Sequence, residues 1–192
     1  AAGVSVGLRV NPQCSTQEGH AIYDPCAPGS RLGITADQFD SEQARRLLPL
    51  VSGLHFHTLC EQNSDDLEKT LDAVEERFAK WLPQMKWINF GGGHHITRTD
   101  YDVPCLERCI RRMQEHWGAQ IYLEPGEAVA LNAGFLLTSV LDVVENEKKI
   151  AILDTSAACH MPDVLEMPYR PPLAGSGLPE EKPYTYRLGG PT

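Results

Sequence analysis

Short apolar segments alternate with amphipathic helical segments through the first two thirds of this chain, and no other feature limits its fold as strongly. Val4 to Val10 reads as a strand ended by Asn11-Pro12, Arg31 to Ile34 as a short strand, and Val51 to His57, Trp87 to Phe90 and Gln120 to Leu123 as three more. Thr35 to Leu48 carries Phe39, Ala44, Leu47 and Leu48 at helical spacing behind a cap-like Thr-Ala-Asp. Ser64 to Trp81 puts Leu67, Leu71, Val74 and Phe78 on one stripe, with Ser64 expected as its N-cap, and Pro104 to Trp117 reads as a third helix. Alternation of this kind builds a parallel sheet covered by helices, open or closed.

After Gly134 the pattern changes. Phe135 to Val144 and Lys149 to Leu153 are rich in β-formers, and Glu145-Asn146-Glu147-Lys148 between them reads as a hairpin turn. Prolines at 162, 168, 171, 172, 179, 183 and 191 leave no room for a long helix in the tail. The expected division is therefore 1–133 and 134–192.

Composition excludes several classes. With 42% hydrophobic and 22% charged residues the 192-residue chain reads as globular, and no apolar run approaches the ~20 residues of a membrane helix. A net charge of −9 argues against nucleic-acid binding, which needs a basic face, and suits a cationic substrate slightly. The six cysteines form no Cys-x-x-Cys pair, so reduced cytoplasmic thiols are expected, and no metal site is assigned. No basic-then-apolar leader is visible at Ala1 to Val10.

Three motifs follow strands and fall on one rim, the rim where barrel active sites lie. Gly91-Gly92-Gly93 follows Trp87 to Phe90, and residues without Cβ let backbone N–H groups converge on an anion or simply make a tight turn. Glu124 follows an apolar strand, where a carboxylate needs a partner such as a protonated heteroaromatic nitrogen or an ordinary cation. His55 and His57, two apart on a strand, share a face and suit stacking on a planar ligand, metal binding or plain packing. Three unlike groups on one rim suggest a cofactor. His94-His95 is expected to be exposed on a loop, and Arg9 and Arg31 end and begin strands that open toward the same mouth. A metal-dependent barrel hydrolase using His55, His57 and Asp154 is the rival of another class, together with a non-catalytic homologue.

The motifs Tyr23-Asp24-Pro25-Cys26-Ala27-Pro28-Gly29-Ser30-Arg31-Leu32-Gly33, Gly53-Leu54-His55-Phe56-His57, Asn89-Phe90-Gly91-Gly92-Gly93-His94-His95 and Glu124-Pro125-Gly126-Glu127-Ala128 come in a specific order. In that order the chain resembles the fold type III decarboxylases that use pyridoxal 5′-phosphate, and within them the carboxynorspermidine/carboxyspermidine branch. The resemblance covers nearly the whole chain. It implies an α/β fold, part of a (β/α)8 alanine-racemase-like barrel followed by part of a C-terminal β domain. It also implies a homodimer acting on a carboxylated polyamine; diaminopimelate and ornithine or lysine decarboxylases of the same fold are the alternative.

Residue by residue, the resemblance implies that His57 stacks on the cofactor ring, Glu124 pairs with the pyridine nitrogen, and Gly91, Gly92 and Gly93 bind phosphate. Arg9 falls near the phenolic oxygen, and His160, Asp163, Glu166, Tyr169 and Arg170 fall in the substrate-side segment. Two departures from the ornithine-type pattern favour the polyamine branch: Glu127 stands where an arginine helps hold phosphate, and Cys60 where a serine does. None of Lys69, Lys80, Lys86, Lys148, Lys149 or Lys182 has the context of the family's Schiff-base lysine, so the chain is read as a central piece of a longer one.

Overall fold

The computed structural model describes residues 3–17, 21–178 and 180–191. It divides into two units, Ala1–Gly134 and Phe135–Thr192.

The first unit is a four-stranded parallel sheet in the order β1 (Gly7–Arg9), β2 (Gly53–His55), β3 (Trp87–Asn89), β4 (Gln120–Tyr122). Parallel pairing requires crossovers, supplied by α1 (Ala36–Phe39) with α2 (Glu42–Leu47), α3 (Ser64–Phe78) and α4 (Val103–Trp117). The strands pair in aligned rows: Gly7, Gly53, Trp87 and Gln120; then Leu8, Leu54, Ile88 and Ile121; then Arg9, His55, Asn89 and Tyr122. Since side chains alternate, the middle row faces one side and the outer two rows the other. The middle row belongs to the core with Leu67, Leu71, Val74 and Phe78 of α3 and Leu106, Cys109 and Met113 of α4. Burying each Leu or Phe of that stripe contributes about 1.5–3 kcal/mol.

On the opposite face the indole of Trp87 lies flat over two strands. A Cβ at Gly7 or Gly53 would come within 2.1 Å of Trp87 ring atoms, so both positions need glycine for the ring to fit. The indole N–H donates to Ser5 Oγ at 2.7 Å.

Several boundaries differ from expectation for local reasons. Arg31 to Ile34 forms a single parallel bridge, Ile34 to Val10, rather than a strand. The first helical segment breaks at Asp40 because Ser41 caps a new helix, its Oγ accepting from Ala44 N–H at 3.2 Å. The N-cap of α3 is Asn63, whose Oδ1 accepts from Ser64 N–H at 2.8 Å and also from Asp102 N–H at 2.9 Å. Ser64 is the first helical residue and its hydroxyl donates to Asp102 O, so the starts of α3 and α4 are tied together.

The second unit holds β5 (Val140–Asn146) and β6 (Lys148–Leu153), an antiparallel hairpin turning at Glu147 with φ 57°, and β7 (Tyr186–Gly189) parallel to β6. Two short helices, α6 (Ala157–His160) and α7 (Asp163–Glu166), follow β6; α5 (Glu127–Ala130) belongs to the first unit. No helix among the described residues is long and apolar enough to cross a membrane.

Candidate active site

The site grows from the C-terminal ends of the four strands. One step of alternation beyond the row Arg9, His55, Asn89, Tyr122 come Asn11, His57, Gly91 and Glu124, on the same face. The backbone continues this order, since Phe90 N–H donates to Tyr122 O at 2.9 Å and Glu124 N–H to Gly91 O at 2.8 Å. The histidine, the glycine turn and the carboxylate are thus neighbours on one rim.

Glu124 is held from below. Its Oε1 accepts from Asn89 Nδ2 at 2.8 Å, and its Oε2 lies 3.6 Å from His55 Nε2, while half of the side chain remains exposed. Burial lowers the pKa of His55, opposed by Glu124 and assisted by the Arg9 guanidinium. Burial, then Arg9, lowers that of His57 as well. Both imidazoles are therefore neutral at neutral pH, with a carboxylate and a guanidinium beside them.

The glycine turn is wedged between strand ends. Gly91 and Gly93 have φ of 72° and 82°, and a Cβ would lie 2.5 Å from Phe56 O at Gly91, 2.7 Å from Glu124 O at Gly92 and 2.1 Å from Leu59 O at Gly93. Two of its N–H groups are engaged inside the chain: Gly91 N–H donates to Asn89 Oδ1 at 2.9 Å and Gly92 N–H to His57 Nδ1 at 3.3 Å. The Gly93 side is what the turn offers to an anion. A cleft of about 360 Å³ opens there, lined by His57, Gly92, Gly93, His94, His95 and Glu124 together with Tyr23, Cys60, Glu61 and Glu127.

His94 and His95 are not exposed: they retain 1% and 8% of their surface and line the cleft, with no hydrogen bond at any of their four ring nitrogens. The carbonyls of Phe90 and Gly91 lie near the His94 ring without hydrogen-bond geometry, and burial pushes its pKa down to about 4. His95 Nε2 is 3.8 Å from Glu127 Oε1. Sequence reasoning missed this because a loop after a glycine triplet reads as solvated, whereas here the turn is wedged against Phe56, Leu59 and Glu124 and His94 forms a parallel bridge with Gln62.

Ligand atoms of His55, His57 and Glu124 lie within 4.8 Å of one another, the spacing a metal site needs. The hydrogen bonding opposes that use. Assigned from the Gly92 bond, the His57 proton sits on Nε2, whereas a ligating histidine donates its other N–H to an acceptor. Asp154, the third residue of the metal reading, lies in the second unit and accepts from Thr138 Oγ1 and Ser139 N–H. Arg9 ends β1, and Arg31 lies three residues before the Ile34 bridge.

The remaining candidates lie in the second unit. His160 ends α6, with Nδ1 3.2 Å from Ser156 N. Asp163 and Glu166 sit on α7, Tyr169 donates to Asp163 Oδ2 at 2.7 Å, and Arg170 donates to Gly177 O at 2.9 Å.

No family model matches the chain. A carboxynorspermidine/carboxyspermidine decarboxylase of Campylobacter jejuni is 50% identical over 165 residues, which are 86% of this chain and 42% of that protein. A carboxyaminopropylagmatine decarboxylase of Synechocystis is 42% identical over 189 residues, 97% of this chain and 48% of that protein. The crystal structure of a Campylobacter jejuni carboxynorspermidine decarboxylase complexed with norspermidine matches with a TM-score of 0.82 at 44% identity, covering 98% of this chain and 50% of that one. Diaminopimelate decarboxylases are more distant homologues.

These relatives and structural neighbours are fold type III decarboxylases, a strand-helix barrel followed by a β domain, and the fold of this chain matches part of that architecture. The chain is a homologue of the carboxynorspermidine/carboxyspermidine decarboxylases and spans about half the length of the relatives it matches.

Proposed function

We propose that this chain supplies the cofactor-binding part of a pyridoxal 5′-phosphate-dependent enzyme that decarboxylates carboxynorspermidine or carboxyspermidine in polyamine biosynthesis. The observation that carries the reading is the placement of Glu124, His57 and the Gly93 side of the glycine turn around one cleft. The residue set fits the cofactor: a half-exposed carboxylate for a ring nitrogen, an imidazole for a ring face and the Gly93 edge of a glycine turn for a phosphate oxygen.

When bound, the cofactor supplies an electron sink for the charge left at the α-carbon as carbon dioxide departs. Glu124, fixed by Asn89, would favour a protonated ring nitrogen. His57, fixed by Gly92 N–H, would hold the ring face. Burial, seconded by the positive charge of Arg9, disfavours protonation of both histidines. The carboxylates of Glu61, Glu124 and Glu127 make the cleft negative, which suits a substrate with several ammonium groups.

The same reading takes residues 1–133 as the C-terminal part of the (β/α)8 barrel and 134–192 as the start of the β-rich domain. His160, Asp163, Glu166, Tyr169 and Arg170 are its substrate-side residues, and the full-length enzyme is a cytoplasmic homodimer. The six free cysteines accord with a reducing compartment.

The test is kcat/KM of the full-length protein on carboxynorspermidine, carboxyspermidine, diaminopimelate and ornithine, with cofactor absorbance recorded in parallel. Preference for the first two is expected; equal or better turnover of ornithine or diaminopimelate would overturn the reading. Carboxyaminopropylagmatine is a further substrate to include, because the match to the Synechocystis relative covers nearly the whole chain.

A further inference from the structure

The carboxamide of Asn89 faces two parts of the site at once. Its Nδ2 donates to Glu124 Oε1 at 2.8 Å while its Oδ1 accepts from Gly91 N–H at 2.9 Å. Asn89 ends β3 and is paired in register with His55 of β2 and Tyr122 of β4, so the sheet fixes its backbone from both sides. Only a side chain with a donor and an acceptor on one planar head can make both bonds from that position. Aspartate is the same size, but it would set an acceptor oxygen against the Glu124 carboxylate.

We propose that Asn89 is a positioning residue that clamps the Glu124 carboxylate and the glycine turn into one unit, so that the groups meeting the ring nitrogen and the phosphate of a bound cofactor keep a fixed separation. The proposal rests on the cofactor reading for its purpose but not for its geometry. His55 is the lesser partner, since its Nε2 stands 3.6 Å from the other Glu124 oxygen, beyond hydrogen-bond distance.

The bond to Glu124 can be cut alone or together with the bond to Gly91. In Asn89→Asp the bond to Gly91 N–H survives, but a second negative charge faces Glu124. In Asn89→Ala both bonds go. In the cofactor-free full-length protein, labelled with carboxyl-¹³C glutamate, Glu124→Gln identifies the Glu124 resonance. We expect Asn89→Asp to raise the Glu124 titration midpoint by about one pH unit or more while leaving Gly91 amide exchange unchanged. Asn89→Ala is expected to speed Gly91 amide exchange about tenfold. A loss of packing alone would not separate the two readouts in this way.

Should either variant fail to fold, the wild-type protein still decides. Its Asn89 side-chain NH₂ signals must move as Glu124 titrates and must stop moving in Glu124→Gln. A Glu124 midpoint unmoved in Asn89→Asp, unchanged Gly91 exchange in Asn89→Ala, or Asn89 signals indifferent to Glu124 would each overturn the clamp. If all three shifts appear and the wild-type protein binds no pyridoxal 5′-phosphate in an absorbance titration, the clamp stands and the cofactor reading falls. If the cofactor binds and the shifts are missing, the clamp alone falls.

Discussion

In the first unit α3 withdraws Leu67, Leu71, Val74 and Phe78 from solvent completely, whereas in the second every residue of β5 is exposed, Val140, Leu141, Val143 and Val144 among them. Both segments are rich in apolar residues and both are well paired, one by helix packing and the other by its antiparallel partner β6. The difference is that the first unit carries its own core while the second, among its described residues, has hydrogen-bonded register without one. Apolar content therefore says little about which side chains hold a unit together. Placement against a second layer does.

The sharpest way to break the comparison is at the chemistry, which this reading assigns to the first unit. Glu124→Gln in the full-length protein keeps size and removes charge, so kcat should fall by at least about a hundredfold, worth several kcal/mol of transition-state stabilisation. Cofactor absorbance should persist. Arg170→Ala, in the second unit, should act mainly on KM. A near-normal kcat for Glu124→Gln at full cofactor occupancy would reduce Glu124 to a rim carboxylate.

Stability offers the next test. Leu71→Ala in α3 should cost about 2–5 kcal/mol in denaturant unfolding, because it opens a cavity in a packed interior. Val143→Ala on exposed β5 should cost less than about 1 kcal/mol in the isolated chain, where its side chain contacts mainly solvent. Equal losses at the two positions would show that the second unit is buttressed as firmly as the first.

The last effect concerns pH. His94 has a folded-state pKa of about 4 against an ordinary 6.5, so the unfolded chain binds the extra proton between those values. Its contribution is fully present above pH 6.5, is lost as pH falls toward 4 and then levels off, at no more than roughly 3 kcal/mol. The depressed pKa values of His55 and His57 act in the same direction. Urea midpoints should fall through this window in the wild type and fall less in His94→Asn.

How far the sequence disclosed this arrangement depends on distance along the chain. The stripes of α3 and α4 and the strands before His57, Gly91 and Glu124 were legible because periodicity and the following polar residue are local signals. Expectation went astray where a neighbour intervened: Asn63 took the cap from Ser64 by also binding Asp102, and His94-His95 was drawn inward by the packing of the glycine turn. β7 joins β6 across some thirty residues of proline-rich chain, which no local pattern announces. Asn89 was visible only as part of a motif. The bond to Glu124, 35 positions away, exists only once the ends of β3 and β4 have been brought together.

The indole of Trp87 lying over Gly7 and Gly53 binds the history of three positions into one. A methyl group at either glycine would need to pass within 2.1 Å of the ring, so neither can drift while the tryptophan stays. Loss of the ring would in turn leave two bare strands facing an empty space. Across homologues these three columns should change together, Gly-Gly-Trp giving way to branched side chains opposite a smaller residue. Mutational paths that alter them one at a time pass through a poorly packed intermediate, which makes this small corner of the sheet a barrier to gradual divergence.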